Sequence, residues 1–386
     1  MLQGEKPLHA GLNAHLLSFS RTYRAAGISR YIRNLIAHLA RSEDVEKLTV
    51  FAGDRRAVAE LGESERLRWS FSRWPTERAS QRIAWEHLAL PLAAARAGVE
   101  VLHSPAHVAP LTWRGRSVLT VHDLSFLLLP RIFGRANQLY LSALTRLSAR
   151  RADAIIAVSE NTRQDVIRLL GVSPQRVRVV HNGVEEVFRP LPPEQVEAFR
   201  RQRGLGEHVI LFIGTLEPRK NIGRLVEAYA RLRQAGLPHQ LVIGGARGWL
   251  FEEVFALVRR LGLEQHVSFP GFIPLEEEPL WYNAAEVFAY PSLYEGFGLP
   301  PLEAMACGVP VVSSKASSLP EVLGEAGVLV DPYNVDDLAA ALERVLTDES
   351  LRGELSRRGL ARAQQFGWAQ AARLTAEVYL ELSSIH

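Results

Sequence analysis

Val287-Phe288-Ala289-Tyr290-Pro291-Ser292-Leu293-Tyr294-Glu295-Gly296-Phe297-Gly298-Leu299-Pro300-Pro301-Leu302-Glu303-Ala304-Met305-Ala306-Cys307-Gly308 is the stretch whose reading decides the fold. Val287–Tyr290 is a short apolar, β-prone run of the kind that fills a buried strand. Gly296 and Gly298 let the backbone turn sharply, and Pro300 and Pro301 then open a helix where a missing N–H costs least. Gly308 ends that helix. A glycine-rich turn feeding a helix aims backbone N–H groups and the positive end of the dipole at one point, an anion site suited to phosphate. Glu303, in the first turn of that helix, and Glu295, eight residues earlier on the loop, suit hydrogen bonds from the hydroxyls of the same ligand. The plainer alternatives are a carboxylate that only complements the dipole and a solvated loop residue.

The strand-then-helix pattern repeats outward in both directions, which predicts an α/β protein with parallel sheets covered on both faces. Strands are expected over Leu8–Asn13, Leu48–Phe51, Glu100–His103, Ser117–His122, Ala154–Ser159 and Val177–His181. A second set follows over Val209–Gly214, Gln240–Gly244, Val267–Phe269, Val287–Tyr290, Val309–Ser313 and Gly327–Val330. Helical periodicity lies between them, as in Ser29–Ala40, Asn137–Arg150, Asn221–Gln234, Trp249–Leu261 and Val335–Leu346. The stretch Arg189-Pro190-Leu191-Pro192-Pro193 reads as an interdomain linker. The expected organisation is therefore one doubly wound domain over 1–188, a second over 189–366 and a last helix over 367–386. That helix either caps the second sheet or crosses back to the first domain. A ligand is expected in the cleft between the domains, near the carboxyl ends of the strands.

Composition narrows the function. The chain has 386 residues, 47% hydrophobic and 23% charged, which suits two or three folded domains and not disorder. The net charge of +3 conceals an asymmetry: residues 1–188 hold 26 Lys and Arg against 17 Asp and Glu, and residues 189–386 hold 19 against 25. The basic residues are scattered, and no nucleic-acid module is present in the pattern. A single cysteine, Cys307, forms no internal disulfide, and no apolar run approaches the roughly 18 residues of a membrane span. His9, Asn13 and His15 interrupt any signal-peptide core, so the expectation is a cytoplasmic protein.

Three other loops carry candidate chemistry. Gly214-Thr215-Leu216-Glu217-Pro218-Arg219-Lys220-Asn221 joins a strand to a helix, and two adjacent cations there can neutralise a diphosphate and stabilise it as it departs. Lysine is rare, four against 41 arginines, so Lys220 beside Arg219 reads as a chosen residue rather than a solvated helix-start cation. His122 ends a strand and is either a site residue or a satisfied strand-end histidine. Gly27, between the first strand and its helix, allows close backbone approach.

Glu-Pro-Arg-Lys-Asn at 217–221, Glu295 and Glu303 in Glu-x7-Glu spacing, Ala-Cys-Gly-Val-Pro-Val-Val at 306–312 and Val-His-Asn-Gly-Val at 180–184 together resemble the retaining nucleotide-sugar glycosyltransferases of family 4. The resemblance runs over essentially the whole chain and implies the GT-B fold, two Rossmann-like doubly wound domains facing across a cleft, with the C-terminal helix crossing back to the first domain. It implies that Arg219 and Lys220 grip the diphosphate, Glu303 the ribose, and Glu295 the transferred sugar. The donor would bind mainly the second domain, with the acceptor on the side of the first. Gly214 and Gly296 would help bind the donor, the amides around Phe297, Gly298 and Leu299 would meet phosphate and sugar, and the loop at Phe272 and Ile273 would face the base. His122 would lie beside the reacting sugar, and the Gly27 loop would reach the phosphates. The family often shows Gly-Gly where this chain reads Ala26-Gly27, which weakens the fit there. Gly27-Ile28-x-Arg30-Tyr31, Trp85-Glu86 and His103-Ser104-Pro105 are more similar to the family's mannosyltransferases.

No Asp-x-Asp occurs to hold a divalent ion on a diphosphate, so no metal or other cofactor is expected beyond the nucleotide sugar itself. The expected partners are a GDP- or UDP-hexose donor and a glycan or lipid-linked acceptor. Arg131, Arg135, Arg146, Arg150 and Arg151 near Leu127-Leu128-Leu129 suit peripheral contact with an anionic membrane at its inner face, or are an ordinary solvated surface. Two other readings compete. Gly244-Gly245-Ala246-Arg247-Gly248 after a strand loosely suits an NAD-dependent oxidoreductase but lacks the Gly-x-Gly-x-x-Gly order, and two such domains also suit a sugar-binding protein without catalysis.

Overall fold

The computed structural model describes residues 8–20, 27–74, 76, 78–130, 135–246, 248 and 251–384. The chain forms two units, Met1–Gly183 with Trp368–His386, and Val184–Gly367. The first unit holds strands β1 (His9–Asn13), β2 (Lys47–Ala52), β3 (Leu67–Phe71), β4 (Val101–Ser104), β5 (Arg116–Val121), β6 (Ala154–Ala157) and β7 (Val177–Val179), in the order β3-β2-β1-β4-β5-β6-β7. The second holds β8 (Val209–Ile213), β9 (Gln240–Gly244), β10 (Val267–Gly271), β11 (Val287–Tyr290), β12 (Val311–Ser314) and β13 (Val328–Val330), ordered β10-β9-β8-β11-β12-β13. Every strand pair is parallel. The central strands are runs of fully buried residues, as in Val209–Ile213 and Val287–Tyr290, because helices cover both faces.

Each sheet reverses direction once, between β1 and β4 and between β8 and β11. Loops leaving the carboxyl ends of the two strands at such a point diverge to opposite faces and open a crevice for ligand. In the second unit those loops are 214–221 and 291–298, the two the sequence singled out.

One strand, β3, is absent from the expectation. It is the edge strand, and its sequence Leu67-Arg68-Trp69-Ser70-Phe71 alternates with polar residues because only one neighbour and part of one face cover it. The chain passes between units at Gly183/Val184, five residues before the expected boundary. The proline stretch after it is fastened within the second unit, where Asn283 donates to the Arg189 carbonyl at 3.0 Å and accepts from the Leu191 amide at 2.8 Å.

The last helix, Trp368–Ser383, lies in the first unit's core. It buries Trp368, Ala371, Ala372, Thr375, Ala376, Val378, Tyr379 and Leu382, a continuous stripe at helical spacing, against the helix Ile28–Leu39 and the inner strands. A buried polar chain fixes it there. The Tyr379 hydroxyl hydrogen-bonds to His103 Nδ1 at 2.6 Å, His103 Nε2 to Thr120 Oγ1 at 2.7 Å, and Thr120 Oγ1 to the Tyr31 hydroxyl at 3.1 Å. Interrupting such a chain strands a buried polar atom, at about 1–3 kcal/mol.

Candidate active site

Beyond β8 the backbone makes one tight turn at Pro218–Lys220 and reaches Asn221 at φ 58°, ψ 33°, the left-handed conformation that asparagine tolerates. The Asn221 amide donates to the carbonyls of Pro291 at 3.0 Å and Pro332 at 2.7 Å, and its oxygen accepts from Arg224 at 2.8 Å. One side chain thus ties together the loops after β8, β11 and β13. On the other side the loop after β9 lies directly on the 214–221 loop. The Gly214 amide donates to the Gly244 carbonyl at 3.0 Å and the Leu216 amide to the Ala246 carbonyl at 2.9 Å. A Cβ on Gly245 would overlap the Gly214 carbonyl, so glycine is required there by backbone contact. That accounts for the glycines after β9 without a dinucleotide. Arg247 lies outside the described residues.

This scaffold brings Arg219, Lys220 and Glu295 together. Glu295 is buried, 7% exposed, and its Oε1 accepts from Lys220 Nζ at 2.7 Å, Ser292 Oγ at 2.6 Å and the Tyr290 hydroxyl at 3.1 Å. Its Oε2 accepts from Arg219 Nη1 at 2.8 Å. The Arg219 guanidinium also donates to Glu217 and to the Tyr294 carbonyl, and Lys220 Nζ also donates to the Tyr290 hydroxyl. Two cations and two carboxylates therefore form a near-neutral buried cluster. Burial pushes the Glu295 carboxyl upward, but Arg219, Lys220 and the Ser292 hydroxyl outweigh it and hold the group at about 2. Burial, aided by Arg219, lowers Lys220 despite Glu295.

The loop after β12 closes over the same region. Ser317 Oγ accepts from the Glu295 amide at 2.8 Å, and the Ser318 hydroxyl lies 3.0 and 2.7 Å from the carbonyls of Glu295 and Phe297. Gly298, at φ 118°, leads into the helix Leu299–Ala306. Glu303 is the fifth residue of that helix, in its second turn and not its first as the sequence suggested. It does not cap the dipole: it is 1% exposed and accepts from the Tyr282 hydroxyl at 2.8 Å. Phe272 is exposed, whereas Ile273 is buried and fills the space a Cβ on Gly244 would occupy.

In the first unit His122 follows β5. Its Nε2–H donates to the Pro105 carbonyl at 2.7 Å, leaving Nδ1 as the lone-pair nitrogen, and Tyr31 packs edge-on with its centroid 4.7 Å away. Gly27, at φ 46°, precedes the helix Ile28–Leu39, and a Cβ there would meet nothing within 4 Å. Its requirement is conformational. Ala25 and Ala26 lie outside the described residues.

The model of glycosyl transferases group 1 matches residues 195–362 and that of glycosyltransferase family 4 matches residues 25–187. The O-antigen chain mannosyltransferase B of Escherichia coli is 33% identical over 92% of this chain and 96% of its own length. The chain is a family 4 glycosyltransferase. Among solved structures, sucrose-phosphate synthase from Thermosynechococcus elongatus superposes with a TM-score of 0.80 at 24% identity, over 97% of this chain and 99% of that one. Anabaena HepE in complex with UDP and glucose gives 0.75 at 21%, over 98% and 100%. At such identities these two show the fold, GT-B. Among the described residues no helix is long and apolar enough to cross a membrane.

Several groups that build the glycosyltransferase's candidate site are not singled out in the sequence: Glu217, Tyr290, Ser292, Ser317 and Ser318 around Glu295, and Tyr282 on Glu303. Tyr290 and Ser292 lie within the quoted stretch, at the end of its strand and the start of its loop, and their signal is only that position. The serines at 317 and 318 follow β12, and nothing local tells that they reach back to Glu295.

The buried histidines set the enzyme's response to acid. Burial holds His15 and His103 at about 3, and burial with His107 nearby holds His122 at about 4. The unfolded chain protonates all three near 6.5 while the folded chain does not. The stability they contribute is thus complete above pH 6.5 and is lost as the pH falls toward 4 and 3. Glu295 adds a loss of the same sign between 4.5 and about 2. Unfolding free energy should decline from pH 7 to pH 5 by up to about 1.4 kcal/mol per pH unit for each histidine. Urea midpoints that stay level over that range would exclude the effect.

Proposed function

We propose that this glycosyltransferase moves a hexose with retention, mannose from GDP-mannose first and glucose from a UDP-sugar next, to a hydroxyl of a glycan or lipid-linked acceptor, without a metal. The observation that carries the reading is the Arg219–Glu295–Lys220 cluster beside the N-terminus of the helix Leu299–Ala306. Cations fixed in place by carboxylates need no reorganisation when charge develops on a departing diphosphate, the condition under which such groups lower a barrier most. The mannosyltransferase relative, matched over nearly its full length, supports the choice of sugar.

In this reading Arg219, Lys220 and the amides around Gly298 and Leu299 hold the diphosphate. Glu303 accepts from ribose hydroxyls, Glu295 from those of the sugar, and the backbone near Ile273 meets the base. His122, neutral at physiological pH, offers a lone pair at Nδ1 to the sugar, and the Gly27 loop approaches the phosphates. The acceptor hydroxyl attacks from the face the nucleoside diphosphate leaves, and the departing phosphate oxygen takes its proton. The bond to the anomeric carbon is exchanged without a protein nucleophile. The acceptor is assigned to the basic first unit, where exposed Leu139 and Leu147 stand in a helix ending in Arg150 and Arg151, a surface suited to an anionic bilayer. Arg131 lies outside the described residues.

The test is release of nucleoside diphosphate from GDP-mannose and UDP-glucose, with and without a mannose-terminated acceptor, in EDTA. Acceptor-dependent release, fastest from GDP-mannose and unchanged by EDTA, is expected. A strict Mg²⁺ or Mn²⁺ requirement would overturn the metal-free mechanism, and equal release without acceptor would overturn the transfer.

A further inference from the structure

The opposite edge of the second sheet carries a cluster that the transfer chemistry does not use. His208, His239 and Glu286 are the residues immediately before β8, β9 and β11, three strands adjacent in the sheet. His208 Nδ1 lies 2.9 Å and His239 Nε2 3.0 Å from the same carboxylate oxygen, Glu286 Oε2. The three donor atoms all fall within 4.8 Å of one another. Among the described residues this is the one group of three His, Cys, Asp or Glu side chains so arranged. With strands of four and five residues between, the cluster stands roughly 13–16 Å from the loops holding Arg219 and Glu295.

We propose that His208, His239 and Glu286 bind one divalent transition-metal ion, of the zinc class, as a clip across the starts of three strands.

The donor set of two imidazoles and a carboxylate suits zinc and cobalt(II), and gives calcium or magnesium too few oxygens. Tetrahedral zinc with bonds of about 2.0–2.1 Å needs ligand atoms about 3.3 Å apart. The observed 2.9 and 3.0 Å need a few tenths of an ångström of opening, and the two imidazole nitrogens, within 4.8 Å of each other, settle toward the same spacing by a movement of the exposed His208. His239 is held by burial, 6% exposed, while His208 at 47% has room to adjust and leaves the fourth position to water. Arg352 contacts the other carboxylate oxygen at 3.3 Å, which orients Glu286 as an outer-shell partner does and leaves Oε2 to the metal. In the metal-free chain the same two imidazole nitrogens are hydrogen-bonded to Glu286, and a ligating nitrogen must be free of its proton to bind the ion.

The full-length chain, stripped with chelator and dialysed, is titrated with Co²⁺ and then Zn²⁺. One equivalent of Co²⁺ should give a visible ligand-field band that Zn²⁺ abolishes, and Zn²⁺ should raise the melting midpoint. His208→Gln, at a half-exposed position where folding is not at stake, and Glu286→Gln should lose the band and the shift. Wild type that binds no cobalt, or binds it as well as His208→Gln does, would overturn the site. The readout is metal binding and not glycosyl transfer, so a failure here leaves the proposed activity standing.

Discussion

Glu295→Gln is expected to lower unfolding free energy by about 3–5 kcal/mol and to abolish transfer. Removing one partner of a buried ion pair strands the other in a medium that solvates it poorly. Here two cations are stranded at once, since both Arg219 and Lys220 contact Glu295 and only Glu217 remains beside Arg219. Glutamine also cannot reproduce the acceptors. Both carboxylate oxygens receive hydrogen bonds, from Lys220, Ser292 and Tyr290 on one side and Arg219 on the other, and an amide NH₂ on either side opposes donors. Urea unfolding and turnover measure the two effects. The double change Glu295→Gln, Lys220→Met removes one stranded charge and should recover part of the stability and none of the activity. A single mutant within 1 kcal/mol of wild type would show that the cluster is not held as described.

Arg219→Ala and Lys220→Ala should each slow turnover by roughly 10²–10³-fold, about 2.7–4 kcal/mol, the scale on which one preorganised donor to a developing anion acts. Lys220→Arg should not restore it. The ammonium sits buried between the Tyr290 hydroxyl and Glu295, with its charge 4.9 Å from the centre of the Tyr290 ring, and a planar guanidinium does not fit that point contact. The turnover number at saturating donor is the quantity to follow, because the effect belongs to the departing charge. Full activity in both alanine variants would remove the pair from the mechanism.

The two-sheet architecture was legible because its central strands are buried on both faces and so read as unbroken apolar runs. β3 escaped because an edge strand alternates. The loops of the candidate site were legible as well, since glycine and proline at strand ends announce their geometry locally. What those loops do to one another was not. Lys220 and Glu295 stand 75 residues apart and meet only because β8 and β11 are neighbours in the sheet. Glu303 reads from the sequence as an acceptor for ligand hydroxyls in the first helical turn, and its buried partner Tyr282, on a different helix, leaves no local trace. His208, His239 and Glu286 have no spacing that resembles a metal motif, because their proximity is a property of strand order.

The helix Trp368–Ser383 has a bearing on synthesis. The first unit's core is completed by side chains that leave the ribosome only after the whole of Val184–Gly367 has been made. At about 5–20 residues per second, the side chains that helix covers wait roughly 10–40 s for it. During that interval Tyr31, His103 and Thr120 lack their closing partner, Tyr379, and the apolar surface beside them is uncovered. The second unit, contiguous in sequence, faces no such delay. The usual order of maturation, amino-terminal domain first, is therefore reversed: nascent chains should carry a folded second unit while the first is unfinished, and it is the unfinished one that calls for chaperone protection.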